Sequence, residues 1–543
     1  MQRRSFLLWS AGGAAAVAAG AGSIAAYLRW QEITPRVLYP GREEGHALRK
    51  LLREHTALPP PSETLVTDVA ILGSGMAGLT AAWQLKKLGH HDSLMIDGPQ
   101  PYGNAAGGQF GELAYPTGGH YLPLPSPEST HVRDILFDLG YILRDPQAEK
   151  PYYDERYVLH APEERLLFNG QWQDGFIPTE GVSHEELAQH ERFFAEVRRL
   201  RQARGNDGKR VFVFPTVESS QDPAWQALDR ITLKAWLEQQ GYTSPTLHWY
   251  LNYCCRDDYG TRYDQVSAWA GLHYYCSRWG QAANAGNGAW LTWPGGMQPV
   301  ASALEQSSGI RRRAGTVVSV TTTAEGVEAL CMELIDGQPR TYLVKARKAI
   351  CAMPLYVAAR VVKDIASYGF DIKRHVPAYA PWMVANFLLK RFPDELPHAP
   401  LCWDNVVYQE PGLGYVVSTH QDIRVRPPEK TVFSAYVALS DRTPEQARKW
   451  LDTATPEELL ALASVDLHSA YGRQFASCVE RVDITVRGHA MAAPLPGFRS
   501  NAGFKALREH DGAILFAHAD LSGFSVFEEA AWWGCRAARL AAG

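Results

Sequence analysis

An α/β fold, built from a discontinuous Rossmann-like domain and a mixed α+β second domain, is predicted by three stretches of the 543-residue chain. In Thr64–Asp97 a short apolar run, a glycine-rich turn, a helical pattern, a second apolar run and an acid follow one another. Arg311–Pro354 alternates in the manner of strands around Asp336-Gly337 and ends in a buried run. Gly512–Ala542 pairs a short apolar strand with a long helix.

Val66–Leu72 is apolar and ends in glycine, as a buried parallel strand does. Gly73-Ser74-Gly75-Met76-Ala77-Gly78 then spaces three glycines for three tasks. Gly73 makes the tight turn, Gly75 lets backbone approach a pyrophosphate, and Gly78 lets the helix pack on the strand. Met76 and Ala77 fall at the helix start, whose free N–H groups favour phosphate. The helix is carried by Leu79, Ala82, Trp83 and Leu85 and stops at Gly89. Leu94–Ile96 is the next strand, and Asp97 lies where a carboxylate meets adenosine ribose hydroxyls. NAD and FAD both use such a unit. At the other end, Ile514–Phe516 reads as a buried strand and Phe527–Leu540 as a helix. Ser525-Val526-Phe527-Glu528 has the spacing of a capping box.

A net charge of −4, from 54 basic and 58 acidic residues, argues against a polyanion-binding surface. Nucleic acid is therefore not expected as a partner, and small molecules are. Eight cysteines without a C-x-x-C pair encode neither a zinc site nor a disulfide framework. His184 and His190, in HEELAQH, are six residues apart and point to different sides of a helix, so no metal is expected there. No G-x-S-x-G elbow for hydrolysis occurs.

At the N-terminus, Arg3-Arg4-Ser5-Phe6-Leu7-Leu8 precedes a weakly apolar Ala/Gly run, Ala11–Ala26. Residues 1–30 resemble a twin-arginine signal, the kind that exports folded, cofactor-loaded proteins through the twin-arginine translocation machinery. The expected location is the periplasm or the outer face of the inner membrane. The run is near the length that spans a bilayer, so without cleavage it would remain as an N-terminal membrane anchor.

Several blocks resemble the flavin-containing amine oxidoreductases, the superfamily of monoamine, polyamine and L-amino-acid oxidases. They are Gly107-Gly108 followed by Pro116–Leu124, then Thr292–Gln306, Arg311–Pro354 and Gly512–Ala542. The resemblance implies an FAD-binding domain assembled from residues 63–130, 285–360 and 487–543, a substrate or cap domain from 131–284 and 361–486, and a lead-in at 31–62. It implies FAD contacts at Gly107, Gly108 and Gln109, where the family's usual arginine is replaced. It also places Val317 or Val318 near adenine, Asp520 at the ribityl-pyrophosphate, and Ser525 and Val526 at a helix start facing the flavin N1 edge.

The implied reaction is hydride removal from a C–H next to nitrogen in a primary or secondary amine, polyamine-like or amino-acid-like. Flavin N5 accepts the hydride, the imine is hydrolysed, and oxygen or another acceptor reoxidises the flavin. The family's lysine after the Met353-Pro354 strand has no counterpart at Ala359 or Arg360, and its paired tyrosines fall near His489-Ala490 and Val526. His489 is the candidate proton acceptor. Arg256, Asp257 and Asp258 form either a selector for cationic amines or an ordinary ion-pair cluster. A flavin-dependent C–C desaturase or isomerase, and a non-catalytic exported flavoprotein, are the alternative readings.

Replacing both arginines, Arg3→Lys with Arg4→Lys, is expected to leave folded, flavin-loaded protein in the cytoplasm. Cell fractionation checks this, and undiminished export of the double variant would exclude the twin-arginine route.

Overall fold

In the computed structural model, which describes residues 30 and 32–543 apart from 55–57, 287 and 427, Thr64–Leu72 lies inside a seven-stranded sheet. The twin-arginine motif and the Ala/Gly run lie outside the described residues. The sheet runs Arg311–Arg313, Ser93–Ile96, Thr64–Leu72, Gln338–Cys351, Gly326–Ile335, Thr316–Thr323, and Ile514–Phe516 pairs with the end of Gln338–Cys351. All pairings among the first four strands, and that of Ile514–Phe516, are parallel. Their carboxyl ends therefore come together at Gly73, Asp97, Ala352 and Ala517, where open α/β sheets bind ligands. The hairpin turn falls at Asp336-Gly337, both in left-handed conformation (φ 50° and 74°), as a tight two-residue turn requires.

The glycine turn is fixed by close approach. A Cβ on Gly78 would lie 2.0 Å from the Gly73 carbonyl oxygen, whereas one on Gly75 would meet nothing within 4 Å. The helix Met76–Lys87 begins at Gly75 without a side-chain cap, so its first N–H groups face open space. The closing helix Phe527–Ala542 packs against it.

A second, eight-stranded sheet has the order Arg36–Leu38, Val479–Ala492, Tyr379–Leu389, Thr431–Ala438, Tyr415–Val417, Asp404–Val407, Glu164–Phe168, Gln171–Asp174. Its strand Tyr379–Leu389 is buried on both faces. Ala380, Trp382 and Val384 pack with the helices between His184 and Ser277, while Met383, Ala385, Phe387 and Leu389 pack with those between Pro444 and Cys478. This period of two is what a strand covered by helices on each side demands. The expected boundary at 487 falls inside Val479–Ala492, which belongs to this second sheet. The lead-in at 31–62 is structured: Arg36–Leu38 adds an edge strand to the second sheet, and the helix Arg42–Glu54 buries Leu48 in the core of the first.

His190 is buried and its Nε2 lies 3.0 Å from Thr246 Oγ1, while His184 is exposed at the start of helix His184–Arg201. All eight cysteines are buried free thiols. Among the described residues no helix is long and apolar enough to cross a membrane.

The two glycines separate fold from ligand. Gly78→Val is expected to abolish folding, whereas Gly75→Val should unfold at an unchanged denaturant midpoint as apoprotein and lose its flavin, because only the space in front of the turn is filled. Chemical denaturation and flavin content of the purified proteins check this.

Candidate functional site

Between the two sheets lies a cavity of ≈ 890 Å³. One end is formed by the carboxyl ends of the parallel strands and the glycine turn, the other by aromatic and acidic residues of the second domain.

At the nucleotide end, Gly73, Gly75, Met76, Ala77, Asp97, Val317, Asp520, Ser525 and Val526 all line the cavity. Gly78 and Val318 do not. Gly78 packs back on the turn, and the irregularity between Val317 and Ser319 carries the chain away from the wall. Asp97 Oδ1 accepts Arg312 Nε at 2.7 Å, and Arg312 also pairs with Glu305. Burial raises the pKa of Asp97, against the pull of Arg312. With its guanidinium held between two carboxylates, Arg312 is not a free anchor for a 2′-phosphate.

Asp520 is fully buried. Its Oδ2 accepts the Leu355 N–H at 2.9 Å and the Tyr379 hydroxyl. His518 Nδ1 lies 3.2 Å from Oδ1 but accepts the Asp520 N–H at 3.1 Å, and Oδ1 takes no hydrogen bond. Burial pushes this carboxyl up; the charge His518 carries when protonated, with the Tyr379 hydroxyl and the Leu355 N–H, outweighs it and holds its pKa below the ordinary value.

Three sequence expectations are corrected here. Gly107, Gly108 and Gln109 do not line the cavity. They form one strand of the hairpin Gly107–Phe110 and Leu113–Pro116, in which the Tyr115 ring packs over Gly108 and Gln109 is exposed. The segment that does reach the cavity is Tyr102-Gly103-Asn104, closer to Asp97. Gly103 (φ 57°) turns there, its β-position 3.7 Å from Gly75 Cα, and Asn104 Nδ2 donates to the Ala490 carbonyl at 2.7 Å. The shorter distance from Asp97 was the signal that could have located it.

Ser525 does not cap the final helix. The helix starts at Phe527 with Val526 as its uncapped N-cap, and Ser525 Oγ accepts the Ala492 N–H at 2.8 Å, tying the helix entry to the neighbouring strand. The helix start therefore keeps its free N–H groups, and Val526, Phe527 and Glu528 line the cavity.

His489 lines the cavity and stacks on Tyr356, ring centroids 4.7 Å apart. Burial, with Arg448, Arg360 and Arg49 nearby, lowers its pKa to about 4. It is neutral at neutral pH and too weakly basic to be the proton acceptor expected of it.

At the other end stand His120, Tyr121, Trp382 and Tyr436. His120 lies 4.3 Å from the Tyr436 ring and 4.8 Å from the Tyr121 ring, centroid to centroid, and burial drives its pKa down to about 3. The cluster Arg256-Asp257-Asp258 divides at the end of helix Pro245–Tyr259. Arg256 turns away to Ser440 Oγ (3.2 Å), Asp258 pairs with Arg278 at 2.6 Å, and Asp257 faces the cavity, its Oδ2 3.5 Å from the Tyr121 hydroxyl. Burial and the adjacent Asp258 push the Asp257 pKa up to about 7, against Arg278. Glu528 is also pushed up to about 7 by burial. Sequence reasoning missed Tyr356, Tyr379, Arg278 and Arg487, each of which reaches the cavity only through tertiary packing.

The residues present fit an extended flavin dinucleotide. The space before Gly75 admits a pyrophosphate, two uncapped helix starts offer N–H donors, and Asp520 Oδ1 is a buried acceptor awaiting a hydroxyl.

Residues 71–139 match the NAD(P)-binding Rossmann-like domain, and residues 118–542 match the flavin-containing amine oxidoreductases. No curated protein matches the sequence. Among solved structures, a putrescine oxidase bound to putrescine is similar at TM-score 0.59 and 17% identity, covering 88% of this chain and 99% of its own. Cyclohexylamine oxidase from Brevibacterium oxydans IH-35A gives TM-score 0.60 and 17% identity, over 88% and 98%. A conjugated-linoleic-acid-producing (CLA-producing) fatty acid isomerase from P. acnes gives 0.56 and 15%, over 87% and 97%. With the family match spanning most of its length, the chain belongs to the flavin-containing amine oxidoreductases and is an FAD-dependent oxidoreductase.

Proposed function

We propose that the protein oxidises a small cationic amine at the carbon next to nitrogen. The observation that carries this reading is Asp257, a cavity-facing carboxylate without a bonded cation, among the rings of His120, Tyr121 and Tyr436. Aromatic faces and a half-buried carboxylate together select an ammonium group over a neutral or anionic one. FAD, when bound, supplies the acceptor for the hydride, and oxygen or another acceptor takes the electrons onward. Asp97 would take the adenosine ribose hydroxyls and Asp520 Oδ1 the ribityl hydroxyls, and Val317 would face the adenine. Amines react as the free base, and Asp257, with a pKa pushed up to about 7, is poised to hold the proton an arriving ammonium gives up. The neighbouring rings exclude water from that exchange.

The fold likeness to a fatty acid isomerase keeps C–C chemistry as the second reading. A long apolar chain would have to lie beside Asp257, Asp258 and Glu528, which weighs against it. We further propose export by the twin-arginine route to the periplasmic side, on the strength of Arg3-Arg4 and the weak apolar run.

Anaerobic addition of an amine panel, with flavin absorbance as readout, tests the reaction: bleaching by amines supports it, and bleaching only by unsaturated fatty acids overturns it. Asp257→Asn is expected to raise KM for amines by about 10- to 100-fold, the scale of a lost charge-assisted contact, with a smaller change in kcat. A permanently charged competitor such as tetramethylammonium should bind more tightly as pH rises through about 7, where Asp257 gains its negative charge, and this rise should flatten in Asp257→Asn. Inhibition constants between pH 5.5 and 8.5 provide the measurement.

A further inference from the structure

The strand Val479–Ala492 carries Arg487 into the cavity wall opposite Trp382. Among the described residues its guanidinium has no carboxylate partner. Nη2 donates to the Gly103 carbonyl at 3.2 Å, and buried Nε has no hydrogen-bond partner. The residue is half-buried with its Nε shielded from solvent, and this position lowers its pKa to about 10. The surrounding atoms locate the missing anion. Gly103, whose carbonyl Arg487 holds, sits against Gly75, and the space in front of Gly75 is open. Helix Met76–Lys87 points its uncapped N-terminus into that same space. The loop that reaches this space from the nucleotide sheet, Tyr102-Gly103-Asn104, carries no cation of its own.

We propose that Arg487 is the cation that binds the diphosphate of FAD, supplied from the second sheet to the space in front of Gly75. The guanidinium's unused Nε–H and its remaining amino hydrogens suit phosphate oxygens, and the helix start completes the donor set. Arg487 binds the cofactor and takes no part in proton or hydride transfer, so the proposal stands independently of the amine reading.

The test strips flavin from the purified holoenzyme and titrates wild type and Arg487→Met with FAD and with riboflavin, which lacks phosphate, following flavin fluorescence. FAD affinity is expected to fall at least 10-fold while riboflavin affinity stays within twofold. Equal weakening of both ligands, as for a residue touching the isoalloxazine, or no weakening of either, would overturn the assignment. Thermal unfolding supplies a second readout. Apo Arg487→Met should melt at or above apo wild type, because an uncompensated, half-buried charge is gone, whereas the loaded variant should melt below loaded wild type. A purely structural role would lower both. Should Arg487→Met not fold, Arg487→Lys serves in the same titration: a selective loss for FAD supports the proposal, since a lysine lacks the planar set of donors, and an unselective result overturns it.

Discussion

The buried carboxylate of Asp520 is the constraint on which the two-sheet arrangement turns. Its Oδ2 is shared between the N–H of Leu355, just beyond the central strand of the nucleotide sheet, and the hydroxyl of Tyr379, at the head of a strand of the second sheet. A carboxylate with no exposed surface cannot lose these donors without a penalty of several kcal/mol. Both sheets must therefore stand in one relation for the charge to be tolerated, and the cavity is the space that relation leaves between them. Asp520 follows the strand Ile514–Phe516 and stands seven residues before the final helix, so the same group also places that helix start at the cavity wall.

The cavity is electrically divided. Arg487, Arg360 and Arg448 stand around His489 and Tyr356 on one side, while Asp257, Asp258 and Glu528 crowd Arg278 on the other. Burial is the main cause of the depressed pKa of His489 and of the raised values of Asp257 and Glu528, with the arginines adding to the first and Asp258 to the other two. The basic side favours the anionic dinucleotide end of the cofactor, and the acidic side would favour a cationic group over an anionic one.

The parts legible in the sequence were those fixed by short-range rules. The glycine turn, Asp97, the Asp336-Gly337 hairpin and the final helix each depend on residues within a few positions of one another. Arg487 is different: RGHAM shows no periodic or motif signal, and the contact it makes is with Gly103, 384 residues earlier. Ser525 misled because a capping box presumes that the helix begins directly after the serine. Here it begins one residue later, and the hydroxyl is claimed by Ala492 across the chain. Gln109 misled for a related reason. A glycine pair has two uses, turning a chain against a phosphate or letting a tyrosine ring lie flat on a hairpin, and Tyr115 decides for the second. His489 lines the cavity but is too weakly basic for the role expected of it, since its basicity is set first by burial and then by three arginines from other elements, neither of which a local stretch of sequence shows.

Loading and stability are coupled by the same features. Without its dinucleotide the fold holds a half-buried guanidinium with an unpartnered Nε, a buried carboxylate oxygen lacking a donor, and two helix starts lacking caps. Each is a cost borne by the apo state and relieved by one ligand. A ligand that binds only the folded chain stabilises it by RT ln(1 + [L]/Kd), about 4 kcal/mol at a thousandfold excess over Kd, which is a large part of the 5–15 kcal/mol of a typical domain. Acquiring the cofactor therefore adds a large increment to the stability of a fold that the chain can already form without it.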